Sequence, residues 1–450
     1  MTAPSDNTSR RQFLKSGGAI AAGSALAAAA IPKVHAAEDN TIRLALIGCG
    51  GRGRGAVANA FTTSNMGPIK LYAMADLFAD RLQSTEKLIA SRYADQFDAP
   101  AERQFVGFDA YKSAIDCLRP GDVAMITNFA AWRPVQVEYA VSKGINVFME
   151  KSFATDPPGV RRILKAGEEA EKKNVKIAAG LQCRHSRNRQ ELIKRIRDGE
   201  LGDIQLIRAY RLEPTFDLAP KPDDISELHW QIRRFIHFNW VSGGLFAEMD
   251  IHQVDEICWL KDQWPVTAFG MGGRNPDHRN RSQILDSYHV EFTFPDGTKG
   301  TDDARYISNT YTDFATYVHG TKCAAQFSGP VHRGDVHIFK DQRIEKDNIA
   351  WSAPPEESNP WDAEWQALID SIRNDKPHNE AKYAAMSNLA DIMARAAIHS
   401  GQMVTWDEAM ASDFQWCDYI DTMTDDSPPP VLPNEEGYYP VPNAGQWTEL

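Results

Sequence analysis

From residue 41 to about residue 151, short apolar runs alternate with longer amphipathic stretches. The runs over 42–47, 71–75, 123–127 and 146–149 are predominantly apolar, without helical periodicity, which is the pattern of strands buried on both faces. Between them lie helical stretches over 56–61, 79–97, 110–118 and 135–142. Strands separated by helices of this length imply right-handed βαβ crossovers and a doubly wound, parallel sheet. An α/β chain opening on a Rossmann-like domain is expected. Thr155-Asp156-Pro157-Pro158 then caps a helix over 159–173. A strand over 175–182 and a helix over 189–198, stopped by Gly199, follow. Beyond residue 204 the pattern changes to strands with polar alternation, over 204–212, 267–270, 316–319, 324–328 and 336–340. The clearest hairpin joins 288–294 to 298–307 through Asp296-Gly297. These strands predict an open, mostly antiparallel sheet, with helices over 361–373 and 383–400 to cover a face. The stretch from Asp425, rich in Pro, Asn and Tyr, reads as an irregular surface tail. The expected organisation is an address segment (1–36), a nucleotide-binding domain (37–155), a second α/β domain (156–424) and the tail (425–450).

Composition narrows the partners. The formal net charge of −12 disfavours nucleic acid and anionic membranes, both met by basic surfaces. Six cysteines stand singly, without finger or redox spacing, and read as small buried hydrophobes. The first residues change the setting. Ser9-Arg10-Arg11-Gln12-Phe13-Leu14-Lys15, an Ala- and Gly-rich apolar segment and Val34-His35-Ala36 form a twin-arginine signal with a small-residue cleavage site. The expected mature chain begins at Ala37, leaves the cell folded with any cofactor already bound, and works in the periplasm with no membrane span.

The chemistry begins after the first strand. Gly48, Gly50 and Gly53 give G-x-G-x-x-G, with Gly51 as an additional glycine, so the backbone can approach a pyrophosphate at a helix N-terminus. Asp76, closing the next strand, stands where a carboxylate accepts hydrogen bonds from the adenosine ribose and repels a 2′-phosphate, which favours NAD over NADP. Arg52, Thr127, Asn128 and Glu150 complete the expected cofactor-binding set. Lys151 follows the last recognisable Rossmann strand, where a substrate and a nicotinamide would meet. In Gly243–Asp255 read as one helix, Glu248, His252 and Asp255 share a face, an imidazole flanked by carboxylates that turns to a cleft or to solvent. One histidine with two carboxylates is a thin ligand set, and no metal is expected.

These motifs resemble the glucose-fructose oxidoreductase and inositol dehydrogenase family, written Gfo/Idh/MocA. The matching pieces are IGCGGRG, Ala75-Asp76, the MEKS segment at Met149 to Ser152, Gly202-Asp203-Ile204, Ser242-Gly243-Gly244, Glu-x-x-x-His-x-x-Asp, HGTK at His319 to Lys322 and SGQMVTWDE at Ser400 to Glu408. The resemblance implies that Lys151 is catalytic, with Ser152 where the family usually has proline. It implies His252 as acid/base, Glu248 in place of the usual aspartate, and substrate contacts from Arg184 and His185, with Asp255 beside them. It further implies NAD-dependent hydride transfer from a secondary alcohol of a sugar or polyol, and a homo-oligomer built on the open sheet. Exported relatives suggest an alternative, a glycosidase that oxidises its sugar only transiently on a retained NAD.

Overall fold

The computed structural model describes residues 40–275, 281–329 and 335–450. The expected signal and its cleavage site lie outside the described residues.

The first sheet contains β1 (Ile42–Ile47), β2 (Ile69–Asp76), β3 (Gln104–Val106), β4 (Val123–Ile126), β5 (Asn146–Met149) and β6 (Ile177–Ala179), in the order β3-β2-β1-β4-β5-β6. All its pairings are parallel. The order reverses between β1 and β4, and a crevice opens beyond the carboxyl ends of the strands at such a point. Register fixes what lines it. Ile47 sits opposite both Ala75 and Ile126, and Ile126 opposite Met149, so Gly48, Asp76, Thr127 and Glu150 all emerge along one edge. Helix α1 (Gly51–Phe61) begins directly in the glycine motif, earlier than the apolar pattern alone suggests. Helix α2 (Pro157–Lys172) is capped by Asp156, whose side chain accepts from the Gly159 amide at 3.0 Å. It is the crossover to β6, so the first sheet continues past residue 155, where the sequence places the domain boundary.

The second sheet has nine strands. They are β7 (Ile204–Glu213), β8 (Thr267–Gly273), β9 (Ser287–Thr293), β10 (Lys299–Tyr306), β11 (Asp313–Gly320), β12 (Ala324–Ser328), β13 (His337–Phe339), β14 (Ile349–Ser352) and β15 (Val404–Thr405). The β9–β10 hairpin forms as expected, and its neighbours pair antiparallel except β7 with β10, which run parallel at the centre. The sheet is therefore mixed. Between β7 and β8 the chain forms α3 (Glu227–Arg233), α4 (Gly244–Met249) and α5 (Ile251–Lys261).

Two late helices divide their cover between the sheets. On α6 (Pro360–Arg373), Trp365 stacks on Phe148 of β5 with ring centres 4.5 Å apart, so this helix serves the first sheet. Helix α7 (Ala381–Ser400) lies on the second sheet. A Cβ added at Gly270 or Gly272 of β8 would come within 2.6 or 2.7 Å of the Ile398 side chain, so these glycines admit the helix. The segment after Asp425 is irregular as expected, but it is not merely superficial. Glu449 is fully buried and ion-paired to Arg395 of α7 at 2.8 Å. No helix among the described residues is long and apolar enough to cross a membrane.

Candidate active site

The turn after β1 is built from glycine for two separate steric reasons. Gly48 has φ +98°, and a Cβ there would lie 2.5 Å from the Asn128 amide nitrogen. Gly53 packs so closely that a Cβ would meet the Gly48 carbonyl oxygen at 2.2 Å and Thr127 Oγ1 at 2.9 Å. Thr127 Oγ1 donates to the Gly48 carbonyl at 2.7 Å and fixes the turn from the β4 side. At Gly50 and Gly51 the same added atom would meet nothing within 4 Å, and both residues face the cleft. Helix α1 starts here with Gly50 as its N-cap and no side chain capping it. The open backbone and the uncapped helix amides fit a pyrophosphate.

Asp76 is tied into the same turn. Its Oδ2 accepts from the Cys49 amide at 2.6 Å and its Oδ1 from the Phe78 amide at 2.8 Å. Burial raises this carboxyl above the ordinary aspartate range, and the two amides pull it back toward ionisation. Each oxygen keeps a further lone pair for a ribose hydroxyl.

A cleft of about 470 Å³ runs over the strand ends, lined by the glycine turn, Asp76, Asn128, Glu150, Lys151 and Glu248 among others. Asp76 and Lys151 stand on strands three spacings apart, roughly 14 Å, a span suited to a dinucleotide. Across the cleft Phe129 stacks on Phe235 from the second domain, with centres 4.6 Å apart and planes 26° from parallel. Lys151 Nζ donates to Glu248 Oε1 at 2.7 Å, which joins the end of β5 to α4. Ser152 Oγ reinforces that junction by donating to the Ala247 carbonyl at 2.6 Å, and the Lys151–Ser152 peptide is cis.

In the cleft wall Arg52 and Glu150, both expected from the sequence, join a charged layer with Glu364 and Arg133, which the sequence did not reveal. Arg52 Nε meets Glu150 Oε1 at 2.5 Å, and the fully buried Glu364 of α6 stands 3.9 Å from the same guanidinium. Burial first, then the Glu150 charge, holds Glu364 well above the usual carboxylate range. Arg133, wholly buried, donates to the Asn128 and Ser152 carbonyls, and burial lowers its guanidinium to about 10. Glu364 was legible in principle, as an acid on the apolar stripe of Trp365, Leu368 and Ile372.

The remaining candidates lie elsewhere. The helix expected through residues 248–255 is two helices, α4 and α5, meeting at Asp250. Asp250 is fully buried and accepts from Tyr306 Oη at 2.6 Å. Burial raises it to about 7, against the pull of Arg211 and Tyr306. Glu248 consequently reaches Lys151, while Asp255 is gripped by Arg184 at 2.8 Å and by Ser387 at 2.6 Å. Arg184 also lies over the Tyr383 ring at 4.3 Å. His185 pairs with Glu380 at 3.2 Å; burial opposes the Glu380 charge, yet His185 and His378 hold that carboxyl down at about 2. His252 is buried at the start of α5. None of His252, Arg184, His185 and Asp255 is among the cleft-lining residues. Among the described residues no three His, Cys, Asp or Glu side chains are grouped as a metal ion requires.

Residues 190–326 match the model of the GFO/IDH/MocA C-terminal domain. The chain is 25% identical over 228 residues to inositol 2-dehydrogenase of Rhizobium meliloti (strain 1021), a match covering 51% of this chain and 57% of that protein. It is 25% identical over 162 residues to the rhizopine catabolism protein MocA of Rhizobium meliloti, covering 36% of this chain and 45% of the other. The matches thus span about half the length of these relatives. Among solved structures, scyllo-inositol dehydrogenase from Lactobacillus casei with bound NAD(H) and scyllo-inositol superposes with a TM-score of 0.60 at 20% identity, over 82% of this chain and 99% of that one. Aldose-aldose oxidoreductase from Caulobacter crescentus, complexed with glycerol, gives 0.62 at 16% identity, over 81% and 99%. A Rossmann-like sheet with a glycine turn thus precedes a segment similar to the GFO/IDH/MocA C-terminal domain, in a fold shared with these solved dehydrogenase structures.

Proposed function

We propose that the protein is a nicotinamide-dinucleotide-dependent oxidoreductase that converts a secondary alcohol of a sugar or polyol to the ketone. The observation that carries this reading is the placement of Lys151, paired with Glu248 on the wall of the cleft that begins at the glycine turn. The turn and the start of α1 would hold the pyrophosphate, and Asp76 the adenosine ribose, which favours NAD. When bound, the dinucleotide accepts or returns the hydride. Lys151 donates a hydrogen bond to the reacting oxygen and stabilises the negative charge that grows there as the C–H bond breaks. The family resemblance makes His252, buried at the start of α5, the acceptor of the hydroxyl proton. Phe129 and Phe235, stacked on each other in the cleft lining, supply apolar surface that would limit water at the transfer.

The substrate class rests on the relatives, whose names specify inositols and aldoses. Turnover is tested by incubating the purified protein with NAD and a panel of inositols and aldoses, following reduced nicotinamide by its near-ultraviolet absorbance. Reduction by at least one cyclitol or sugar is expected. Inertness to the whole panel with both NAD and NADP would overturn the proposal.

A further inference from the structure

Lys151 stands on backbone outside both sheets. Between Met149 at the end of β5 and Pro157 at the start of α2 the chain is irregular, and Ser152, Phe153 and Ala154 are wholly buried, so their polar groups need partners there. One side chain supplies three of the bonds. Asn388 of α7, 235 residues beyond Phe153, accepts with Oδ1 from the Phe153 amide at 2.5 Å and from the Ala154 amide at 2.8 Å, and its Nδ2 donates to the Ala154 carbonyl at 3.2 Å. Arg395, about two turns further along the same face of α7, donates to the Thr155 carbonyl at 3.0 Å and to the Gly243 carbonyl at 3.3 Å. Gly243 is the N-cap of α4, the helix that presents Glu248 to Lys151. One buried face of α7 therefore holds the segment after the lysine and the start of the helix that carries its partner. The two grips differ in kind. Arg395 is also spent on Glu449 at 2.8 Å, which ties in the end of the chain, whereas every one of these Asn388 bonds falls within three residues of Lys151.

We propose that Asn388 is a positioning residue for the reaction, fixing the backbone from which Lys151 reaches the reacting oxygen. The inference rests on the role given to Lys151 above. A long, flexible ammonium stabilises growing charge only where its stem starts from a fixed point, and a misplacement of about 1 Å can cost on the order of 10²-fold in rate. Ser152 Oγ and Lys151 Nζ tie the segment to α4 on one side, and Asn388 ties it to α7 on the other. Without Asn388, two amides and a carbonyl are left in a buried site, and the segment shifts to find other partners, carrying Lys151 with it. Asn388 does not itself line the cleft, so its loss reaches the chemistry through Lys151 and leaves the nucleotide contacts in place.

The test is a double-mutant cycle of Asn388→Ala and Lys151→Ala in the full chain. Leu389→Ala, equally buried on the same helix but with no polar atom in its side chain, controls for lost packing, and melts select a temperature at which all variants are folded. Asn388→Ala is expected to lower kcat by about 10–100-fold with KM and NAD affinity within about twofold of wild type, while Leu389→Ala keeps kcat within about threefold. In the Lys151→Ala background Asn388→Ala adds little, because it acts through the missing ammonium. Asn388→Asp keeps the accepting oxygen, and its rate relative to wild type rises toward acid pH, where the buried carboxyl is protonated and can again donate to the Ala154 carbonyl. In protein without nucleotide, hydrogen exchange at Phe153 and Ala154 and competitive acylation of Lys151 both accelerate in Asn388→Ala and not in Leu389→Ala. Wild-type kcat and unchanged Lys151 acylation in folded Asn388→Ala would overturn the proposal, as would an equal loss with and without Lys151. Wild-type turnover in Lys151→Ala alone would reject the role of the lysine and the proposal with it, a failure distinct from that of Asn388→Ala.

Discussion

Replacing Asp76 separates what this carboxylate does for the turn from what it does for the ribose. Asp76→Ala deletes two charge-assisted hydrogen bonds, to the Cys49 amide at 2.6 Å and the Phe78 amide at 2.8 Å, and leaves both donors in a buried site. With charged hydrogen bonds each contributing roughly 1.5–3 kcal/mol, a stability loss of about 3 kcal/mol or more is expected. Asp76→Asn keeps one acceptor oxygen and should lose about half of that. The ribose contact is a further, separable quantity. Removing it weakens NAD by about 10–100-fold, corresponding to roughly 1.4–2.8 kcal/mol. A slackened turn weakens NAD and NADP alike, whereas loss of the negative charge helps only the ligand with a 2′-phosphate. The informative number is therefore the ratio of the two affinities, measured by titration on folded protein below its melting transition. The ratio should move toward NADP in both variants. A ratio equal to wild type in both would refute the placement of Asp76 at the ribose, whatever the loss of stability.

Other perturbations test other layers. Lys151→Ala and His252→Ala should each lower kcat by about 10²–10⁴-fold while NAD still binds; wild-type turnover in either would remove that residue from the proposed chemistry. Gly53→Ala drives a methyl group into the Gly48 carbonyl and Thr127, so a destabilisation of about 1–3 kcal/mol and weakened nucleotide binding are expected in melts and titrations, and an unchanged melt would show that the turn can yield. Glu449 is opposed by burial, yet Arg395 and His399 hold its carboxyl down at about 2. Because the folded value lies below the unfolded one, this stabilisation is complete above the unfolded glutamate value near 4 and is lost as pH falls from there toward 2. It is on the order of 3 kcal/mol, so Glu449→Gln should flatten the acid limb of the stability curve; an identical acid limb would show that the ion pair contributes nothing.

What could be read from sequence follows the range of the interactions. Most of the first sheet was legible because its strands, β3 apart, are short, mainly apolar runs whose partners are dictated by crossover handedness, and the glycine turn because it is local. Asp76 and Lys151 were legible for the same reason, being fixed relative to the ends of their own strands. The unpredicted strands are short ones, Gln104–Val106, Ile349–Ser352 and Val404–Thr405, which owe their conformation to a neighbour's edge rather than to their own pattern. The single helix expected through residue 250 fails because Asp250 is drawn to Tyr306, 56 residues away, a contact no helical period encodes. Arg184 and Asp255 illustrate the same limit. Each looked available for a substrate, and the fold has instead paired them with each other across 71 residues.

The central claim is that Lys151 acts on a substrate alcohol beside a dinucleotide lying across the strand ends. It is tested most directly by loading wild type and Lys151→Ala with NAD, confirming equal occupancy by titration, and following the near-ultraviolet absorbance of reduced nicotinamide after rapid mixing with a substrate found active in the cyclitol and aldose panel. The account predicts prompt, stoichiometric reduction in wild type and a reduction slowed by at least about 10²-fold in the variant at the same NAD occupancy. Equal rates in the two proteins, or no binding of NAD to wild type, would contradict it.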